Sequence, residues 1–233
     1  GAGEPDFPTP DYIVAAAVAA CADPANHRYT PAAGLPELRS AVAAKTRRDS
    51  AYQVTPEQVL ITNGGKQAVY QSFATIVDPG DEVLLSSSTN IATALAIIYA
   101  NAVPVPVDSE RETWNLDLDL IEAAITPRTR AIMPTYWPGS LPDLDALNAL
   151  ARRHSLRVIE DAALVQGSRC KGRAVGAFGD LSTFSFHPNK NMTSIEGGAL
   201  VVGDEAEALR AEPLRFHGIT FNADRTRDVA FAG

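Results

Sequence analysis

The 233-residue chain is 45% hydrophobic and 21% charged, with 16 Gly and 16 Pro spread along it; that suits one sizeable core and excludes disordered, collagen-like and low-complexity classes. Its 20 basic against 28 acidic residues give a net charge of −8 with no basic run, so nucleic acid is not an expected partner. The longest apolar stretch, Tyr12–Ala22, falls far short of the roughly 20 residues that cross a bilayer, no leader is visible, and Cys21 and Cys170 stand apart, which argues against a membrane span, a metal site and a disulfide framework and for a cytoplasmic setting.

Residues 1–30 read as irregular chain around one helix, with a turn near Asp23-Pro24. Leu35–Arg48 reads as an amphipathic helix, with Leu35, Leu38 and Val42 on one face and Pro36 near its start, where a missing N–H is harmless. A repeated rhythm then begins. Gln58–Thr62 is a strand, Asn63-Gly64-Gly65 breaks it, Lys66–Val77 has helical spacing through Val69, Phe73, Ile76 and Val77, and Asp78-Pro79-Gly80-Asp81 stops the helix. Strand Glu82–Leu85, helix Ile91–Ala100, strand Val103–Val107, helix Leu118–Ile125, strand Ala131–Pro134, helix Leu144–His154 and strand Arg157–Asp161 follow.

Such alternation predicts an α/β three-layer sandwich, a mostly parallel sheet covered on both faces. Beyond Asp161 come short strands, Leu181–Phe186 and Gly198–Val202, then a helix Asp204–Ala211 that Pro213 ends, while Phe216–Gly233 has no clear period. With no repeat and no linker, residues 1–233 are expected to form a single domain on which residues 1–50 pack.

In an open α/β sheet, ligands sit at the carboxyl ends of the strands. Four places there carry chemistry. Asn63-Gly64-Gly65-Lys66 could cradle a phosphate on the head of the next helix, although a glycine pair more often serves a tight turn. Glu160-Asp161 ends a strand with carboxylates that would need a cationic partner if buried, against the simpler reading of a helix-capping Asp. Ser185-Phe186-His187-Pro188-Asn189-Lys190 leaves another strand, and Lys190 is one of only four lysines, the others being Lys45, Lys66 and Lys171. His187 reads equally as a base, a stacking ring or a plain loop histidine; Tyr29 reads first as packing. No triad order, metal cluster or Gly-x-Gly-x-x-Gly fingerprint is present.

A glycine turn, a strand-end Asp and a later Ser-x-x-x-x-Lys, in that order, resemble the constellation of fold type I pyridoxal-phosphate enzymes. Two registers of likeness run along the chain. Residues 3–85 resemble class I/II aspartate aminotransferases through Gly3-Glu4-Pro5-Asp6, Arg28-Tyr29-Thr30-Pro31, Thr62-Asn63-Gly64-Gly65-Lys66-Gln67-Ala68 and Asp78-Pro79-Gly80-Asp81. Residues 86–228 are similar to the DegT/DnrJ/EryC1/StrS sugar aminotransferases through Ile91-Ala92-Thr93-Ala94, Thr113-Trp114-Asn115-Leu116-Asp117, Val158-Ile159-Glu160-Asp161-Ala162-Ala163, Phe184-Ser185-Phe186-His187-Pro188-Asn189-Lys190-Asn191 and Glu196-Gly197-Gly198.

The resemblance implies pyridoxal 5′-phosphate as cofactor, with Lys190 forming the internal Schiff base and moving the proton, and Asp161 keeping the ring nitrogen protonated. Ser185 with Gly64, Gly65 and Lys66 would hold the phosphate, Asn90 and His187 would line the cofactor, and Tyr29 would reach the phosphate of a neighbouring subunit in a homodimer. The partners would be an amino donor and a keto acceptor, with a nucleotide-sugar acceptor the nearer class and a class I amino acid (aspartate-type) aminotransferase the alternative. Two departures stand out: the family's ring-stacking aromatic falls within Ser86–Asn90, where none is present, and Leu164 replaces a glutamine. Both families continue into a small C-terminal domain, so a fragment or a chain joined from two relatives near Glu82–Leu85 is expected, and a fold kept as a scaffold without chemistry is the rival reading.

Overall fold

In the computed structural model, which describes residues 7–50, 52–137, 140–215, 219–221 and 227–229, the strand segments assemble into one seven-stranded sheet. Its members are β1 (Val59–Thr62), β2 (Glu82–Ser86), β3 (Val103–Val107), β4 (Thr129–Met133), β5 (Arg157–Asp161), β8 (Leu181–Ser185) and β9 (Gly198–Val202); between the fifth and sixth of these lies a minimal hairpin, β6 (Arg169–Cys170) with β7 (Arg173–Ala174). The spatial order is β1-β9-β8-β5-β4-β2-β3. Only β9 runs antiparallel, to both neighbours, and the remaining pairings are parallel.

The helices are α1 (Asp11–Ala22), α2 (Pro36–Ser50), α3 (Gly65–Ile76), α4 (Ile91–Tyr99), α5 (Leu118–Ala124), α6 (Leu144–Arg153) and α7 (Glu205–Arg215). Strand side chains alternate between the two sheet faces, and the core divides accordingly. Val83, Leu85, Ala131, Met133 and Ile159 join Val69 and Phe73 of α3, Ile97 of α4 and Ala208 of α7. Their strand neighbours Leu84, Ile132 and Val158 join Ile121 of α5 and Leu147 and Leu150 of α6. Burying each such Leu, Ile or Phe is worth roughly 1.5–3 kcal/mol, so two covered faces hold the strand ends in place.

Residues before β1 divide into two parts. Ala43 of α2 packs with Val59 and Val201, and the Arg39 Nε donates to the carbonyls of Pro56 and Val59, each at 2.9 Å. Helix α1 buries none of its residues. Two expectations are corrected. Helix α7 continues through Pro213 to Arg215: the proline forfeits its N–H bond to the Leu209 carbonyl, and burial of Ala208, Ala211 and Pro213 holds the helix on the core in spite of it. Beyond residue 215, where the sequence shows no period, β10 (Ile219–Phe221) and β11 (Arg227–Val229) pair antiparallel, strands too short for a period to show. Among the described residues, no helix is long and apolar enough to cross a membrane and no His/Cys/Asp/Glu group could hold a metal.

Candidate active site

The carboxyl ends of β1, β2, β4, β5 and β8 surround a cleft of about 660 Å³, the place where parallel sheets bind ligands. Its floor begins at the glycine turn. After β1, the Thr62 hydroxyl donates to the Gly64 carbonyl (2.9 Å) and the Asn63 N–H donates to the Gln67 side chain (2.8 Å), so the chain enters α3 at Gly65. The N–H groups of Gly65 and Lys66 then stand at the open head of a 12-residue helix, where partial positive charge gathers.

Glycine is required here by close approach. A Cβ on Gly65 would lie 2.7 Å from the Ser185 Cβ, and one on Gly198 would lie 2.4 Å from the Gly64 carbonyl carbon. Ser185, the last residue of β8, is thereby seated directly against the helix head. Gly64, Gly65, Lys66 and Ser185 all line the cleft, as expected from sequence.

The adjacent carboxylates at the end of β5 separate. Glu160 is fully buried outside the cleft and accepts five hydrogen bonds: from the N–H groups of Gly176 (2.9 Å), Phe178 (2.7 Å) and Gly179 (2.6 Å), the Ser182 hydroxyl (3.3 Å) and the Tyr136 hydroxyl (3.0 Å). Burial, then the Glu160 charge, raises the Tyr136 phenol well above its ordinary value. Asp161 lines the cleft instead, 8% exposed. The Ala163 N–H donates to its Oδ1 at 3.2 Å, and among the described residues no ion pair involves it. Burial pushes the Asp161 carboxyl above its ordinary value, while the Ala163 N–H and the Lys190 charge pull it back.

Lys190 faces the same cleft from the loop after β8, its backbone N–H donating to the His187 carbonyl at 2.9 Å. His187 also lines it, but its Nδ1 is paired with Asn189 Oδ1 (2.7 Å) and its Nε2 lies 3.6 Å from Glu196 Oε1. Asn90 lines it too, with its side-chain oxygen already engaged as the N-cap of α4, accepting from Ala92 N–H at 2.9 Å. Tyr29 is fully exposed and lies outside the cleft.

Three contributors escaped the sequence reading. Gln166 Nε2 donates to the carbonyls of Ser185 (2.6 Å) and Ala163 (3.2 Å), tying the β8 wall to the β5 wall. Thr89 and Thr135 bond hydroxyl to hydroxyl at 2.5 Å, and Trp137 enters the lining from the end of β4. An aromatic just past a strand end is the one sequence signal that points to Trp137; nothing in spacing points to the other two. The donor set suits a ligand with an anion at the helix head, a cationic ring nitrogen at Asp161 and a carbonyl within reach of the Lys190 amine.

The DegT/DnrJ/EryC1/StrS aminotransferase family matches residues 50–232, beginning upstream of Glu82. Over 156 residues the chain is 54% identical to an aspartate aminotransferase of Streptomyces avermitilis, and over 156 residues 47% identical to a putative L-glutamine:3-amino-2,3-dideoxy-scyllo-inosose aminotransferase of Streptoalloteichus tenebrarius. These matches cover 65% and 67% of this chain and 38% of each relative. Among solved structures, S. venezuelae DesV in complex with a ketimine intermediate superposes with a TM-score of 0.76 at 36% identity, covering 89% of this chain and 55% of DesV. A Thermus thermophilus aspartate aminotransferase double mutant gives 0.79 at 29%, covering 98% and 61%. The chain therefore spans less than two thirds of the length of these proteins.

Proposed function

This chain belongs to the DegT/DnrJ/EryC1/StrS aminotransferase family, and on that footing we propose that it is the cofactor-holding large domain of an aminotransferase whose acceptor is a nucleotide-linked keto sugar. Its α/β fold is that of the fold type I pyridoxal-phosphate enzymes, and pyridoxal 5′-phosphate is the family's cofactor. The residues fit that group. The observation that carries the proposal is Asp161: a buried carboxylate in a cleft, with no ion-pair partner among the described residues, opposite a lysine and beside a helix head. Burying a charge without a cation is costly, and a protonated ring nitrogen supplies the missing one.

When bound, pyridoxal phosphate supplies an electron sink for the carbanion formed at the substrate α-carbon. The remaining work falls to the chain. The head of α3, the Ser185 hydroxyl and the Lys66 side chain bind the phosphate dianion. Asp161 holds a proton on the ring nitrogen. The Lys190 amine holds the cofactor covalently and, once a substrate amine takes its place, carries a proton at Nζ. Gln166 keeps the β5 and β8 walls at a fixed separation, and so keeps Asp161 and Lys190 in register.

A second reading, an aspartate-type amino acid aminotransferase with a 2-oxo acid as acceptor, is favoured by the 54% identity to the S. avermitilis protein bearing that name. The relative named for L-glutamine and scyllo-inosose chemistry supports the sugar-type reading. A homodimer is part of the proposal, in which Tyr29, fully exposed and outside its own cleft, would reach the cofactor phosphate of a neighbouring subunit. The test begins with borohydride reduction after incubation with pyridoxal phosphate, followed by peptide mass analysis. A pyridoxyl adduct on Lys190 that disappears in Lys190→Ala supports the reading; adducts spread over Lys45, Lys66 and Lys171 overturn it in favour of a scaffold. Once an amino acid donor has bleached the bound cofactor's absorbance, its recovery on adding a nucleotide-linked keto sugar or, instead, a 2-oxo acid separates the two acceptor classes.

A further inference from the structure

A flat aromatic ligand in an open, polar cleft gains affinity from an aromatic wall, and besides the His187 imidazole, paired with Asn189 Oδ1 at 2.7 Å and beside Glu196, three aromatic residues line this one among the described residues: Tyr136, Trp137 and Phe184. Two are committed elsewhere. Tyr136 is 1% exposed and its hydroxyl is bonded to Glu160, outside the cleft. The Phe184 ring fills the space over Gly176, where an added Cβ would meet its Cζ at 2.5 Å, and it packs into the core beside Val175.

Trp137 is half-buried and is held by its edge. Its Nε1 donates to the Ser88 hydroxyl at 3.3 Å, and Ser88 is itself bonded to Ser86 (2.7 Å) and Ser109 (3.1 Å). The Thr89–Thr135 hydroxyl bond fastens together the two loops that carry Ser88 and Trp137. The indole is thus anchored through its N–H to the loop after β2, the loop in which Ser86–Asn90 offers no aromatic side chain. Ala163 lines the cleft from the end of β5.

We propose that Trp137 is the aromatic wall against which the cofactor ring packs, delivered from the end of β4 in place of an aromatic on the β2 loop. This assignment rests on the reading that the cleft holds pyridoxal phosphate. It also accounts for the knot of serines: Ser86, Ser88 and Ser109 fix the orientation of an indole that would otherwise be free to rotate about χ1 and χ2.

The test compares Trp137→Leu, Trp137→Phe and the double variant Trp137→Leu/Asn90→Tyr with the unchanged chain and with Trp114→Leu, which alters the other tryptophan, outside the cleft. The readouts are the dissociation constant for pyridoxal phosphate, the induced circular dichroism of the bound chromophore and the thermal midpoint of the cofactor-free protein. An aromatic contact of this kind is worth about a threefold to tenfold change in affinity. Trp137→Leu should weaken binding by that factor and change the induced dichroism, Trp137→Phe should retain most of the affinity, and Asn90→Tyr should restore it in the Leu background. Unchanged affinity and dichroism in Trp137→Leu overturn the assignment while a persisting Lys190 adduct leaves the cofactor reading intact. A loss that tracks the thermal midpoint and is not restored by Phe or by Asn90→Tyr reduces Trp137 to a packing residue and also overturns it. Absence of any Lys190 adduct in the unchanged chain removes the cofactor reading, and the assignment with it.

Discussion

Glu160→Gln tests how the site is supported from outside the cleft. Among the described residues no ion pair involves the Glu160 carboxylate; its charge is solvated by five neutral donors. One oxygen accepts from the Phe178 and Gly179 N–H groups and the Ser182 hydroxyl, the other from Gly176 N–H and the Tyr136 hydroxyl. The new amide does least harm with its NH2 on the second side, where the Tyr136 hydroxyl can turn to accept but the Gly176 N–H cannot. One buried donor is then orphaned at about 1–3 kcal/mol, and the charge assistance to the remaining bonds is lost, for a total of about 2–4 kcal/mol. With a urea slope of about 2–3 kcal/mol/M for a chain of this size, the midpoint falls by about 1 M. Glu160→Ala, which leaves the three N–H groups and the Tyr136 hydroxyl unpaired and opens a cavity while the Ser182 hydroxyl keeps the Gly176 carbonyl at 2.9 Å, should cost more. A Gln midpoint within about 0.3 M of the unchanged chain at equal slope would refute the reasoning, because the five contacts would then contribute little net stability.

The pH dependence of Asp161 has a definite sign. Its folded carboxyl lies above the ordinary 3.8 because of burial, so the folded state binds the proton more tightly, and stability present below 3.8 is lost as pH rises through the raised value. Asp161→Asn should therefore stabilise the cofactor-free protein at pH 7 and have a shrinking effect as pH falls toward 3.8, while abolishing productive cofactor binding; urea melts at the two pH values check the first part and absorbance titration the second. Gly65→Ala places a methyl 2.7 Å from the Ser185 Cβ, an overpacking cost of about 1–3 kcal/mol. It should also weaken pyridoxal phosphate binding more than Gly80→Ala, whose cost is backbone strain at φ +89° far from the cleft and not a clash. Arg157→Met removes the paired contact to Glu207 of α7 and the contact to Asp180 at 3.3 Å. It should lower the thermal midpoint with little effect on cofactor affinity, since Arg157 lies at the opposite end of β5 from Asp161.

Local chemistry carried a good deal of the fold into the sequence. Glycines and prolines punctuate the segments, and apolar spacing distinguishes α3 from β2, so the alternation and hence the covered parallel sheet could be read residue by residue. The antiparallel setting of β9 could not, because a run such as Gly198–Val202 is equally apolar in either direction. Nor could the hairpin β6–β7, whose two-residue strands are shorter than any period. The passage of α7 through Pro213 depends on tertiary packing, in which buried Ala208 and Ala211 hold the helix against the core past a residue that local propensity would end it at.

The site divides in the same way. Asp161, Ser185, Lys190 and the Gly64-Gly65-Lys66 turn stand out by residue type and position after a strand, but taken singly they read more simply as a cap, a surface lysine and a tight turn, and only the family resemblance joins them into one expected site. Which of Glu160 and Asp161 enters the cleft is decided by the pleat of β5, since neighbours on a strand face opposite sides and only the assembled sheet determines which side opens to the ligand. Asn90 illustrates the limit: its side chain caps α4, a use of the amide that sequence cannot separate from ligand binding. Gln166, Trp137 and the Thr89–Thr135 pair act across loops from different strands. Sequence by itself determined the chemistry available at the strand ends, because residue identity and local turns are encoded within a few positions; tertiary structure alone decided which groups converge and which are spent on the scaffold, because both depend on contacts between segments tens of residues apart.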